Sequence, residues 1–145
     1  MPTTTGAAEE IAMKAMEIYD NHEFDRIGEV LTADYEVRVA GASFNGLEEM
    51  REMLGGFYGA FPDLKHHIVA VVGGTDEEVC LEIRVTATHD GTYAGAPGEI
   101  PATGNPIEWF SGNVIRTEGD KLKSWHIYLD QVPLLEQMGY PFPSA

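Results

Sequence analysis

Within five positions near the C-terminal end, His126, Tyr128 and Asp130 supply a base, a phenol and a carboxylate. Side chains alternate along an extended strand. Over Trp125–Asp130 these three therefore share one face, while Trp125, Ile127 and Leu129 share the other. Groups of these types converging on one spot can move protons to and from a bound molecule. On spacing alone, a half-buried strand with a polar outer face is the simpler reading.

Other chemistry-bearing residues are placed by the same alternation. From Val79 to His89 the apolar set Val79, Leu81, Ile83, Val85 and Ala87 faces one way. Cys80, Glu82, Arg84, Thr86 and Thr88 face the other. Arg84 is then either a solvated cross-strand charge or the cationic wall of an internal pocket. His89 falls on the apolar side of that alternation. Trp109 and Trp125 suit a core or a pocket wall. His66 and His67 are adjacent, so they point to opposite faces and cannot chelate one ion together; no metal site is expected.

The elements that position these residues follow in order. Residues 1–6 read as a loose tail. Ile11, Ala15, Ile18 and Tyr19 recur at helical spacing over 7–21, with Met13 and Met16 widening the buried stripe. A short helix is predicted over 25–31, then a strand through Tyr35, Val37 and Val39. Leu47, Met50, Met53, Leu54 and Phe57 predict a helix that Gly55, Gly56 and Gly59 weaken or end. Strands are predicted over 65–72, 79–89, 106–117 and 122–130, and a terminal helical turn or two over 131–138. The Gly- and Pro-rich stretch 91–105 is long enough for a pocket rim or lid. Leading helices followed by a meander of long strands mean one α+β domain over 1–145.

Composition narrows the function. Hydrophobic residues make up 43 % of the 145, enough for a core. The formal net charge of −15 repels phosphate backbones and anionic membranes, so neither nucleic acid nor lipid is an expected partner. There is no apolar run of transmembrane length, and Met1–Gly6 lacks the features of a signal peptide. The single cysteine, Cys80, suits a reducing cytoplasmic location.

Several segments together resemble the SnoaL-like polyketide cyclases of the nuclear transport factor 2-like superfamily. They are Phe61-Pro62-Asp63-Leu64, Thr88-His89-Asp90-Gly91, Pro101-Ala102-Thr103-Gly104, Trp125–Asp130 and Leu134-Leu135-Glu136-Gln137-Met138-Gly139. The resemblance implies a cone: a curved antiparallel sheet wrapped around N-terminal helices, with a central pocket. It also implies cofactor-independent aldol closure of a polyketide ester, with Asp130 as general acid/base. His126 would assist, and Arg84, Tyr128, Trp109 and His89 would contact the hydrophobic small-molecule substrate. An enolate formed there needs hydrogen-bond donors. Limonene-type epoxide hydrolases share the pattern of the last strand, but Thr86 stands where their second aspartate would be. Epoxide hydrolysis is therefore disfavoured unless Glu82 or another carboxylate substitutes. A non-catalytic pocket for an apolar or aromatic ligand is the main alternative, and isomerisation or dehydration in the same fold is another. The apolar set Val79, Leu81, Ile83 and Val85 is expected to pack against a second subunit, giving a homodimer or higher oligomer.

Overall fold

In the computed structural model, which describes residues 6–95 and 98–140, the first helix, α1, spans Ala7–Asp20. Ala8, Ala12, Ala15, Met16, Ile18 and Tyr19 form its buried stripe, whereas Met13 stands half exposed. The second predicted helix is a 3-10 helix, Phe24–Glu29, and strand β1 already begins at Leu31 and runs to Val39. A short strand that the residue pattern does not announce, β2 (Ala42–Asn45), folds back on β1 through Ala40 and Gly41, both at positive φ. Helix α2 (Gly46–Ala60) passes through Gly55, Gly56 and Gly59 without ending. Burial of Met50, Leu54, Tyr58 and Ala60 outweighs their low helix propensity.

The remaining strands are β3 (Lys65–Gly74), β4 (Glu78–Thr88), β5 (Tyr93–Gly95), β6 (Gly98–Ile100), β7 (Pro106–Glu118) and β8 (Lys121–Tyr128). Helix α3 (Gln131–Gln137) closes the chain. The stretch predicted as a loop therefore contains the small hairpin β5–β6, and the predicted tail at 1–5 lies outside the described residues. The main sheet has the order β2-β1-β8-β7-β4-β3. Its neighbours are antiparallel except for β1 and β8, which run parallel, so the curved sheet is mixed and not wholly antiparallel. The last strand returns alongside the first in the same direction, which no local pattern encodes. The α+β expectation holds.

One face of the sheet is buried. Val79, Leu81, Ile83 and Val85 on β4 pair with Ile115, Asn113, Ser111 and Trp109 on β7, and all eight are buried. Helix α1 lies across β3, β4, β7 and β8. The apolar set expected to meet a second subunit is thus covered by the chain's own first helix. The opposite face carries Phe110 and Tyr128, both more than half exposed.

Two junctions lock the helices to the sheet. At the end of α1, the Asp20 carboxylate accepts hydrogen bonds from Tyr58 Oη (2.6 Å) on α2 and from the His66 backbone N–H (3.0 Å) on β3. His66 Nδ1 lies 2.7 Å from the same carboxylate. At the end of α2, the Ala60 carbonyl accepts from the N–H groups of Asp90 and Gly91, both at 3.1 Å. A side chain at Gly91 would collide with the Gly59 carbonyl, so the glycine at 91 permits this backbone approach.

Burial alone would raise the Asp20 carboxyl, but His66 and Tyr58 outweigh it and hold the group below the usual aspartate range. A depressed carboxylate contributes its full stability above the unfolded value of roughly 4, and loses it as pH falls through the folded value. Acid unfolding followed by circular dichroism should therefore show Asp20→Asn destabilised at pH 7 and less sensitive to pH below about 4 than the wild type. Gly91→Ala should cost about 1–3 kcal/mol in urea unfolding. By contrast, Gly112→Ala, with no heavy atom near its added Cβ, should change stability by no more than about 0.5 kcal/mol.

Candidate functional site: a buried histidine and two phenols

The residues singled out in the sequence divide between the two faces of the sheet. His126 pairs with Arg38 on β1 and Val114 on β7, which places it on the outer face, away from α1. Its Nε2 lies 3.0 Å from Glu36 Oε1, and Arg38 reaches the same carboxylate at 3.3 Å. Tyr128 lies on the same side and is 64 % exposed. Together with Ser43, Leu129 and the Ala40–Gly41 turn, Arg38, His126 and Tyr128 line a groove of about 540 Å³. The alternation along β8 is the one expected; the polar side of it faces outward.

Arg84 and Asp130 do not converge on that groove as a proton-shuttling set would require. Arg84 also lies on the outer face, but on β4, with β7 between it and β8. Its guanidinium donates to Glu108 Oε2 at 2.9 Å, so it is a cross-strand ion pair and not the wall of an internal pocket. Asp130 lies beyond the end of β8 and is exposed. Its carboxylate caps α3, accepting from the Val132 N–H at 3.0 Å.

His89 and Trp109, by contrast, meet inside. His89 is fully buried, and its backbone is held by Asn105 and Gly104 across the neck of the 89–105 loop. Its Nδ1 lies 2.9 Å from Thr103 Oγ1, which also accepts from the Asn105 N–H. Nε2 is buried without a hydrogen-bond partner among the described residues. Phe61 bridges the two predicted residues, with ring centroids 5.7 Å from His89 and 5.8 Å from Trp109. Tyr93 (5.9 Å from Phe61) and Phe57 (5.9 Å from Trp109) complete the aromatic cluster. Helix α3 secures this corner: Gln137 exchanges two hydrogen bonds with the Glu108 backbone, and its own carbonyl accepts from Asn105.

Sequence reasoning missed two buried phenols, Tyr19 on α1 and Tyr35 on β1. Each hydroxyl perturbs the other's titration, and neither makes a hydrogen bond of good geometry among the described residues. Burial pushes both phenols well above the ordinary tyrosine value, so they remain proton donors throughout the physiological range. Tyr19 lies 6.4 Å from Trp125, whose Nε1–H donates to Asn113 Oδ1 at 2.8 Å on the inner face of β7. Tyr19 looks in the sequence like one more member of the helical stripe, and no local spacing pairs it with Tyr35. Among the described residues no three ligating side chains gather to hold a metal ion.

The inner face thus carries a buried histidine beside flat apolar rings, and two buried phenols. Comparison with known proteins agrees with this architecture. The chain matches the profile of SnoaL-like polyketide cyclases over residues 9–138. Three solved structures superpose over most of their length. A candidate SnoaL-like polyketide cyclase from Jannaschia sp. CCS1 gives a TM-score of 0.81 at 14 % identity, covering 97 % of this chain and 98 % of that one. TsrD from Streptomyces laurentii gives 0.78 at 14 %, covering 97 % and 100 %. AclR, a candidate hydroxylase from Streptomyces galilaeus, gives 0.76 at 21 %, covering 92 % and 96 %. At such identities these structures speak for the fold alone. No protein with a curated description matches. The profile match spans nearly the whole chain, which belongs to the SnoaL-like polyketide cyclase family.

Proposed function

We propose that this chain catalyses cofactor-independent ring closure of a polyketide-like carbonyl compound by acid–base chemistry on the inner face. The observation that carries this reading is the fully buried His89, whose Nε2 has no hydrogen-bond partner among the described residues and which lies beside a cluster of aromatic rings. An orphaned buried nitrogen costs free energy unless a ligand completes it. In the tautomer that donates from Nδ1 to Thr103, Nε2 offers a lone pair. That lone pair takes a proton from an active methylene of the substrate. The carbanion attacks a carbonyl carbon of the same molecule, forming the new carbon–carbon bond, and the resulting alkoxide recovers the proton from the imidazolium. Tyr19 and Tyr35 supply O–H donors for the enolate oxygen. Phe57, Phe61, Tyr93 and Trp109 hold a flat apolar substrate by stacking and by excluding water.

A second reading keeps the chemistry on the outer face. Asp130 would be the acid/base and His126 its assistant, with Tyr128 and Arg38 contacting substrate; the groove places His126, Tyr128 and Arg38 together, and the reading requires Asp130, which is not among its lining residues, to reach it. A third keeps the inner site but makes it a binding pocket without turnover.

Turnover of polyketide methyl esters, followed by mass spectrometry, separates the three. His89→Gln is expected to lower kcat by about 10²–10⁴-fold while substrate still quenches tryptophan fluorescence. Asp130→Asn, which retains an effective helix cap, should leave kcat within about threefold. The opposite pattern would move the chemistry to the outer face, and binding without turnover by the wild type would establish a ligand-binding protein. Tyr35→Phe should unfold at the same urea concentration as the wild type or higher, because no protein hydrogen bond is lost. Its kcat should nonetheless fall by about 10²-fold or more.

A further inference from the structure

His89 is fully buried, yet the group that meets its ring nitrogen stands at the surface. Thr103 is exposed near the end of the 89–105 loop, and its Oγ1 lies 2.9 Å from His89 Nδ1. Further hydrogen bonds hold that hydroxyl in place. The His89 N–H donates to the Asn105 carbonyl at 2.9 Å, and the Gly104 N–H donates to the His89 carbonyl at 2.8 Å, which closes the neck of the loop. Gly104 sits at a φ of +73°, which lets the chain reverse between Thr103 and Asn105. The Asn105 N–H donates to Thr103 Oγ1 at 3.2 Å, and its side-chain amide donates to the Gln137 carbonyl at 2.9 Å. Gln137 ends α3, and its side chain bonds both backbone groups of Glu108. The neck is thereby tied to helix and sheet alike.

A hydroxyl has one proton and two lone pairs. One lone pair of Thr103 is taken by the Asn105 N–H, and the exposed side of the group meets solvent. Toward His89 the hydroxyl has two choices. Accepting from Nδ1–H leaves a lone pair on Nε2; donating to Nδ1 leaves a proton there. Nε2 has no hydrogen-bond partner among the described residues, so the second choice would bury an N–H without an acceptor. Folded chains leave a buried N–H unpaired less often than an acceptor. The same contact fixes the plane of the ring, because turning the imidazole over would carry Nδ1 away from Thr103.

We infer that Thr103 is the positioning residue of His89. It keeps the imidazole proton on Nδ1 and the Nε2 lone pair available to a ligand, and the Asn105–Gln137 contact makes α3 part of the same unit. Thr103 acts only through the ring it holds. The inference rests on the role proposed above for His89, but the state of the imidazole can be read without any substrate.

The test is a two-bond 1H–15N correlation spectrum of 15N-histidine-labelled protein, recorded for the wild type, Thr103→Val and Thr103→Ser. His89→Gln identifies the signals of His89. A protonated Nδ1 and a bare Nε2 are expected in the wild type and in Thr103→Ser, and a mixture of both tautomers in Thr103→Val. Asn105→Ala, also at an exposed position, should fold and show a partial shift toward the second tautomer. In ring closure, Thr103→Val should lower kcat about tenfold or more with KM within about threefold, and Thr103→Ser should recover most of the loss. A proton on Nε2 in the wild type would overturn the inference, as would a tautomer and kcat left unchanged by Thr103→Val. A wild type that closes no ring while its His89 tautomer still follows Thr103 would instead sink the proposed function and support this inference.

Discussion

Asn113 is the polar residue on which the inner face depends. Buried between β4 and β8, it accepts the Trp125 indole N–H, and its amide lies within hydrogen-bonding distance of the Leu81 carbonyl and of Ser111. One side chain thereby joins three neighbouring strands and satisfies an indole that would otherwise be buried at a cost of about 1–3 kcal/mol. It also determines which way β8 faces. With Trp125 inside, Ile127 follows it, and His126 and Tyr128 must point outward because successive strand residues alternate. A slip of one residue would exchange the two sets and leave both Asn113 and Trp125 without partners.

The distribution of chemistry follows from that orientation. Most polar groups deep inside are consumed by the fold: Asn113 by Trp125, and the Asp20 carboxylate by Tyr58 and His66. What remains unpaired in the interior is informative because it is rare. Among the described residues, His89 Nε2, the Tyr19 and Tyr35 hydroxyls and Thr32 Oγ1 are buried without a hydrogen-bond partner. Unpaired buried groups are costly unless something completes them, and the proposed function assigns the first three to a bound substrate. The outer face is instead rich in paired charges, with Glu36, Arg38 and His126 together and Arg84 bonded to Glu108. The more exposed of these, Arg84 with Glu108 and Arg38 with Glu36, contribute little to stability.

Much of this was legible in the sequence, and what was not has identifiable causes. The alternation of Val79 to Ala87 fixed which side chains share a face, because a period of two survives any packing. It did not say which face lies inside. That depends on where α1 lands, and α1 crosses strands far from it in sequence. His126, Tyr128 and Arg84 were grouped correctly by side, but that side faces outward. His89 showed the conflict in advance, since it is a polar residue on the apolar side of its strand. The burial of its ring resolves the conflict in favour of the interior. Tyr19 and Tyr35 left no trace, because their meeting joins a helix to a strand and each alone resembles ordinary core. The parallel pairing of β1 with β8 was equally invisible, being set by the closure of the whole chain.

The central claim is that a substrate is held on the inner face, beside His89. The most direct measurement is a set of intermolecular NOEs from a polycyclic aromatic keto-ester to selectively protonated aromatic and histidine side chains. Contacts to His89, Phe61, Tyr93 and Trp109, without contacts to His126 or Tyr128, are the result this account predicts. Contacts to His126 and Tyr128, with His89 and Trp109 untouched, would contradict it.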